Sequence, residues 1–183
     1  MTVLHKSQID FFKTQGYLIL KGFVETEQMA VWRGQFWTHV GADSQDPASW
    51  PDSYVIDDFA VDPAFGQLPQ MQAVVEQLGG GLFVGGGGSL LVQWPKKEST
   101  WDWPGQGHID GYGPNGWSGG FMLGATAYLD EVEGQGGAFT YWPQSHLSVH
   151  DFFREFPDQI DGSFTKREDW ESRQWGLFSD RSP

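Results

Sequence analysis

The spacing of apolar residues and glycines changes at Gly79, and this change constrains the fold more than any other feature of the sequence. Before Gly79, apolar residues recur three or four positions apart, as one face of a helix requires. The first stretch begins at Thr26 and has apolar residues at positions 29, 32, 36 and 40 (Met, Trp, Phe, Val). The second has them at positions 68, 71, 75 and 78 (Leu, Met, Val, Leu). After Gly79, glycine interrupts short apolar runs, which is the pattern of strands and turns. We therefore expect a helical part over about 1–80 and a β-rich part over about 81–183.

The N-terminus predicts a short helix followed by a strand. The run 7–10, Ser-Gln-Ile-Asp, can cap a helix that carries Phe11 and Phe12 and ends at Gly16. The apolar run 17–20, Tyr-Leu-Ile-Leu, then reads as a strand.

The later runs predict a sheet. Four candidate strands cover 89–94, 107–111, 120–130 and 137–142. The glycine clusters at 79–81 and 85–88 are interpreted as turns, because no Gly-Lys-Ser/Thr follows them and the next element is a strand. Short strands at this spacing, with ten tryptophans to fill an interior or cleft, favour a mainly β sandwich or jelly roll. We find no convincing strand after residue 150, so this jelly roll would be incomplete at its C-terminal end.

Charge and composition narrow the classes of function. There are 24 acidic and 11 basic residues, a formal net charge of -13, which argues against nucleic-acid or anionic-membrane partners and leaves a small molecule as the expected ligand. The absence of cysteine excludes disulfides and thiolate metal sites. The first sixteen residues contain no apolar run of the length that a signal peptide or spanning helix needs. We expect a single cytoplasmic domain over 1–183, of unknown oligomeric state.

One short string indicates a candidate metal site. His108 and Asp110 stand two positions apart in the run 107–111. In a strand, residues i and i+2 project from the same face, so an imidazole and a carboxylate would point into one space. With one further histidine they would form the two-histidine, one-carboxylate site of non-haem Fe(II) oxygenases, which leaves coordination positions open. Without it, they are two polar residues at a half-exposed strand end.

Several other strings occur in a fixed order around this pair. They are Phe11-Phe12 with the run 16–23, then 128–132 (Tyr-Leu-Asp-Glu-Val), then 136–139 (Gly-Gly-Ala-Phe), then 142–146 (Trp-Pro-Gln-Ser-His). In this order, from about residue 7 to about 150, the chain resembles the phytanoyl-CoA dioxygenase-like family. The family has the string Pro-Gly-Ser-His where this chain has Pro143-Gln144-Ser145-His146, so position 144 departs from the usual glycine.

The resemblance implies a fold and a chemistry. It implies a double-stranded β-helix, a cupin-like jelly roll, with Fe(II) bound by His108 and Asp110 and with 2-oxoglutarate and O₂ as cosubstrates. It places Gln93 and Thr126 near 2-oxoglutarate. Tyr112, Asn115 and Trp117 follow the pair at the expected cleft mouth and are candidate substrate contacts. The implied activity is hydroxylation of a small organic substrate.

The chain also departs from the family in its metal site. The family's distal histidine, and the arginine after it that binds the far carboxylate of 2-oxoglutarate, have no counterpart here. His146 matches a family position on the turn after a strand and is expected to support the site without binding the metal, and His150 is no stronger a ligand. Three explanations stay open: a fragment of a longer oxygenase, a shortened scaffold without iron chemistry, or a substituted ligand. The alternative function is a non-catalytic jelly-roll module that binds a small molecule such as a sugar.

Overall fold

The computed structural model describes residues 3–52, 59–80, 90–92, 94, 100, 109–110, 112–113, 116–117 and 123–161. Helix accounts for 47% of these residues. The α-helices are α1 (Lys6–Gln15), α2 (Thr26–Val40), α3 (Pro69–Gly79), α4 (Ser145–Glu155) and α5 (Asp158–Asp161), with 3₁₀ turns at Pro47–Ser49 and Phe65–Gln67. Two strands of two residues each, β1 (Tyr112–Gly113) and β2 (Gly116–Trp117), form an antiparallel pair. None of the helices in these ranges is both long and apolar enough to cross a membrane.

The described residues fall into two compact units. The first contains Val3 and Leu4 with the described parts of 19–100 and 126–138, and so includes α2 and α3. The second contains the described parts of 5–18, 101–125 and 139–161, and so includes α1, the strand pair, α4 and α5. The single domain over 1–183 stays a prediction.

The core of the first unit forms around α2. Trp32 is only 1% exposed, and its Nε1 donates a hydrogen bond of 2.9 Å to the Pro63 carbonyl. The indole ring therefore buries its apolar surface without losing a partner for its N–H group. The buried residues packed with Trp32 are Val61, Leu68 and Met71.

The three longer helices before residue 81 agree closely with the sequence prediction. Helix α2 has the predicted start at Thr26, and α3 carries the predicted apolar positions Met71, Val75 and Leu78, while Leu68 directly precedes it. Leu68 and Met71 are buried. Helix α1 ends at Gly16 as predicted but begins before Ser7, because the Gln8 side chain accepts a 2.8 Å hydrogen bond from the His5 backbone N–H. At the C-terminal end of α1, Gly16 adopts φ +83° and donates to the Phe12 carbonyl, a left-handed cap that glycine favours.

The predicted jelly roll is wrong for the part of the chain that the structure describes. No strand occurs at 17–20, at 123–130 or at 137–142, nor at the described positions within 89–94 and 107–111. The β-sheet in the described ranges consists of the β1–β2 pair alone, and helices α4 and α5 occupy 145–161. The finding that overturns the prediction is thus the mainly helical secondary structure.

Contacts with helices explain why the later runs are not strands. Leu129 packs against the Trp32 core, and Asp130 lies 3.2 Å from the Arg33 guanidinium on α2. Further along, the Gln144 backbone N–H donates 2.8 Å to the Gln15 carbonyl at the end of α1. A strand requires a neighbouring strand to receive its ladder of hydrogen bonds. Leu129, Asp130 and Gln144 instead contact residues of α1 and α2, and the described residues 123–144 form no strand ladder, although their apolar runs satisfy a β pattern.

Candidate functional site

Asp110 lies at a turn just ahead of the strand pair in the second unit. It is exposed, and two residues later β1 begins at Tyr112. The pairing register sets Tyr112 opposite Trp117 and Gly113 opposite Gly116. Two of the three predicted substrate positions are thus backbone partners of each other and follow Asp110 closely along the chain.

The remaining predicted residues are distributed differently. His108, Gln93 and Asn115 lie outside the described residues. Thr126 is exposed and belongs to the first unit, whereas Asp110 belongs to the second. Among the residues assigned to metal, cofactor and substrate, the structure therefore pairs Tyr112 with Trp117 through their backbones. Asp110 lies two positions before Tyr112 in the sequence.

The described residues do not by themselves make up an iron site. No group of three or more histidine, aspartate or glutamate side chains within them is arranged to hold a metal ion. Asp110 contributes one oxygen donor group, and an iron site of the expected type requires two imidazoles as well.

Within the second unit, His146 on α4 contacts Lys13 and Gly16 at the end of α1, and we call this contact the joint between α1 and α4. His146 lies in the first turn of α4 and not, as predicted, in a turn after a strand, because α4 begins at Ser145 and the described residues 123–144 ahead of it form no strand. Its Nε2 lies 2.9 Å from the Lys13 carbonyl, which can only accept, so Nε2 carries the proton. Its Nδ1 is shielded, has no hydrogen-bond partner and faces Gly16. Nε2 is thus engaged with the backbone and Nδ1 is shielded, which fits a supporting role better than a role as ligand.

A tyrosine pair borders the same joint. The rings of Tyr17 and Tyr141 have centroids 4.2 Å apart, and Phe11 meets Tyr17 edge-on at 5.3 Å. A side-chain hydrogen bond with Tyr17, and secondarily burial, raise the pKa of Tyr141 above its ordinary value of 10.0. The Tyr141 hydroxyl therefore keeps its proton through the neutral pH range and acts there as a hydrogen-bonding group.

The first unit contains a feature that the sequence prediction missed. Trp37, Trp50 and Trp94, which we call the tryptophan cluster, have ring centroids 5.5–6.0 Å apart and are each half-buried. Phe36 contacts both Trp37 and Trp94 and connects the cluster to the buried face of α2. The tryptophans lie far apart in sequence, so spacing along the chain gives no signal for the cluster. The one local hint is the proline at 47, which begins a 3₁₀ turn just ahead of Trp50.

A shallow depression lies on the exposed side of α2. It has a volume of about 530 Å³ and is lined by Gly34, Gln35, Thr38, His39 and Phe59. The His39 ring stacks on Phe59 with centroids 4.1 Å apart. The Gln35 side-chain amide donates through Nε2 to the Asp62 carbonyl and accepts through Oε1 from the Asp62 backbone N–H. Because the depression is open and its polar groups are largely committed, it does not enclose a ligand in the way that a cofactor site does.

Comparison with known proteins gives no match: no family model, no curated protein and no solved structure matches the chain.

Proposed function

We propose that the chain is an Fe(II)/2-oxoglutarate-dependent dioxygenase that hydroxylates a small organic substrate, with His108 and Asp110 as metal ligands. The observation that carries the proposal is the H-x-D pair within an ordered series of strings from residue 7 to 150. Under it, Gln93 and Thr126 contact 2-oxoglutarate, Tyr112, Asn115 and Trp117 contact the substrate, and His146 supports the fold around the site.

The local geometry at Gln144 supports the family resemblance. The resemblance places glycine at this position, and Gln144 adopts φ +64°, a left-handed conformation that glycine adopts most readily. The departure at position 144 is thus a change of residue at a position whose backbone still suits glycine.

The surroundings of Asp110 suit the proposed role. Asp110 is an exposed carboxylate just ahead of the strand pair, and its charge would neutralise part of the charge on the metal. When bound, iron with 2-oxoglutarate and O₂ supplies the oxidising power to hydroxylate a C–H bond. The acidic composition favours a neutral or cationic substrate over nucleic acid, and the absence of cysteine fits a protein of the reducing cytoplasm.

Turnover of 2-oxoglutarate tests the proposed activity. We expect the protein, supplied with Fe(II), 2-oxoglutarate and air, to form succinate slowly even without substrate, and we expect His108→Ala and Asp110→Ala to abolish this reaction. Asp52→Asn removes another exposed carboxylate and serves as the matched control, with succinate formation unchanged. Succinate formation that is absent in the unaltered chain, or that persists in both ligand variants, would reject the proposal.

The second candidate function is a non-catalytic module that binds a small molecule such as a sugar. One observation favours it: the described residues contain the half-buried tryptophan cluster. Aromatic rings with part of their surface exposed are suited to contact the apolar face of a ring-shaped ligand. This function requires saturable ligand binding in the absence of iron.

A further inference from the structure

Tyr17 and Tyr141 bring two phenol rings of the second unit into contact. Their ring centroids lie 4.2 Å apart with an angle of 37° between the ring planes, and a side-chain hydrogen bond joins their hydroxyl groups. The rings are thus held at two points, ring to ring and hydroxyl to hydroxyl. The ortho carbon of each ring is bonded to the carbon that carries the hydroxyl, so both ortho positions are held close to the opposite ring.

The backbone holds the same two segments together. The Gln144 N–H donates 2.8 Å to the Gln15 carbonyl, and these residues are close along the chain to Tyr141 and Tyr17 respectively. Phe11 adds an edge-on ring contact with Tyr17 at 5.3 Å. Because the two phenols are positioned before any reaction begins, a reaction between them gains the advantage of an intramolecular process.

Exposure and composition leave this pair open to oxidation. Both tyrosines are half-buried, so part of each side chain remains in reach of an oxidant in solution. Thiolates are readily oxidised protein groups, and they would compete for such an oxidant. The chain contains no cysteine, so no thiol of its own competes with the phenols or reduces a phenoxyl radical once it has formed.

We propose that Tyr17 and Tyr141 form a site of oxidative modification, at which a dityrosine bond joins their ortho carbons. The oxidant is of the peroxidase class and removes one electron at a time, with hydrogen peroxide as the terminal electron acceptor. Each hydroxyl loses one electron and one proton, and the two phenoxyl radicals couple through a carbon–carbon bond. Each coupled carbon then loses its proton and each oxygen regains one. In total the pair loses two hydrogen atoms, and one hydrogen peroxide is reduced to two waters.

The dityrosine bond ties the segment after α1 to the segment ahead of α4. A covalent link between residues far apart in sequence stabilises a fold by constraining the unfolded chain, as a disulfide does. This chain cannot form a disulfide, since it has no cysteine. The dityrosine bond is therefore an oxidative lock on the second unit. It requires neither Fe(II) nor 2-oxoglutarate, so it can be tested separately from the dioxygenase proposal.

Peptide mapping by mass spectrometry tests the site. The metal-free chain, diluted to suppress reaction between molecules, is treated with a haem peroxidase and limiting hydrogen peroxide, and the monomer is then digested. We expect the peptides that carry Tyr17 and Tyr141 to be joined, with a mass lower by two hydrogens than their sum. Tyr17→Phe and Tyr141→Phe should each abolish this product. Tyr128→Phe removes an exposed tyrosine of the first unit and is the matched control, in which the product should persist.

Urea denaturation tests the lock. Treatment should raise the urea midpoint of the unaltered chain but not that of Tyr17→Phe. The variant undergoes the same oxidation of other side chains, so the difference between the two shifts reports the dityrosine bond alone.

Three outcomes would overturn the proposal. One is the absence of joined peptides while a parallel reaction converts N-acetyltyrosine to its dimer, which shows that the oxidant is active. Another is dityrosine that forms in the unaltered chain through Tyr128 and not between Tyr17 and Tyr141. The third is an equal shift of the urea midpoint in the unaltered chain and in Tyr17→Phe, which would reject the lock. None of these outcomes depends on succinate formation, so failure here and failure of the dioxygenase proposal are distinguishable.

Discussion

At the scale of single residues, the joint between α1 and α4 is fixed by Gly16 and His146. Gly16 has φ +83°, and a Cβ built on it would lie 2.4 Å from His146 Nδ1, far inside van der Waals contact. Two independent constraints therefore require glycine, one from the backbone and one from the neighbouring ring. The sequence indicated the first, as the end of a helix, but gave no sign of the second, which depends on a residue 130 positions away.

Alanine substitutions separate the two constraints. Gly41 also has a left-handed φ of +72°, but nothing lies within 4 Å of its added Cβ, so Gly41→Ala reports backbone strain alone. We expect Gly41→Ala to lower the free energy of unfolding by about 1 kcal/mol, and Gly16→Ala to lower it by a further ~1–3 kcal/mol because of the clash. Urea denaturation measures both. Equal losses in the two variants would show that His146 does not pack against Gly16.

Position 144 offers a second test of backbone conformation. Because Gln144 has φ +64°, glycine there should be at least as stable as glutamine, whereas β-branched valine should cost about 1–2 kcal/mol. The Gln144 N–H donates to the Gln15 carbonyl through the backbone, so neither substitution removes that bond. Thermal denaturation of the two variants provides the measurement, and a valine variant as stable as the glycine variant would contradict the left-handed assignment.

The tyrosine pair predicts behaviour at alkaline pH. The pKa of Tyr141 is raised in the folded state, chiefly by its hydrogen bond with Tyr17, so the folded protein holds this proton more tightly than the unfolded chain does. The stabilisation is complete below pH 10.0 and is lost as the pH rises through the raised folded pKa. Tyr17→Phe should therefore shift the Tyr141 titration, followed by phenolate absorbance, to lower pH. An unchanged titration curve would show that the hydroxyls do not interact.

At the scale of elements, helix α3 secures the N-terminal segment through Gln77. Its Oε1 accepts from the backbone N–H groups of Val3 and Leu4 at 2.8 and 2.9 Å, and its Nε2 donates 3.2 Å to the Leu4 carbonyl. Leu4 is only 2% exposed, so these bonds hold a buried apolar anchor in place. Helical periodicity correctly predicted α3, but it gives no means of choosing which of its polar residues makes a long-range contact.

Two substitutions of Gln77 distinguish its acceptor from its donor. Gln77→Met has a similar length but leaves two shielded N–H groups without an acceptor, which should cost about 1–3 kcal/mol of unfolding free energy. Gln77→Glu keeps the acceptor for both N–H groups but replaces the donated bond by a carboxylate oxygen that faces the Leu4 carbonyl. We expect it to cost less than the methionine variant, because the two N–H groups stay paired. Urea denaturation at neutral pH provides the comparison. Equal stability of Gln77→Met and the unaltered chain would show that the N-terminal segment is not tied to α3.

The accuracy of the sequence prediction differs between the two types of element. Helices α2 and α3 were predicted well because helical periodicity and capping are local, and a single run of sequence contains both. The strands were not, because a β pattern describes which side chains share a face and leaves open whether a partner strand exists. Tyr141 and Leu129, for example, lie in runs predicted as strands and instead contact the Tyr17 ring and the Trp32 core.

At the scale of the whole molecule, the described residues form two helix-containing units and not the jelly roll that the resemblance implied. The sequence singled out Asp110, Tyr112 and Trp117 as site residues, which stays a prediction, but it did not predict the strand pair in which Tyr112 and Trp117 lie, because pairing depends on a partner strand that a local pattern does not specify. It did not reveal the tryptophan cluster, whose members meet only through tertiary packing. Apart from the cosubstrate 2-oxoglutarate, the strongly acidic composition predicts a neutral or cationic substrate for the dioxygenase and a neutral or cationic ligand for the binding module.

The most direct test of the central proposal is an anaerobic titration of the chain with Fe(II) and 2-oxoglutarate, followed by the weak visible charge-transfer band of the chelate. Two protein ligands without a third should bind weakly. We therefore predict that the band appears only at protein concentrations well above micromolar, is lost in Asp110→Ala and persists in Asp52→Asn. No band at any protein concentration, or a band that survives in both His108→Ala and Asp110→Ala, would contradict the assignment of His108 and Asp110 as iron ligands.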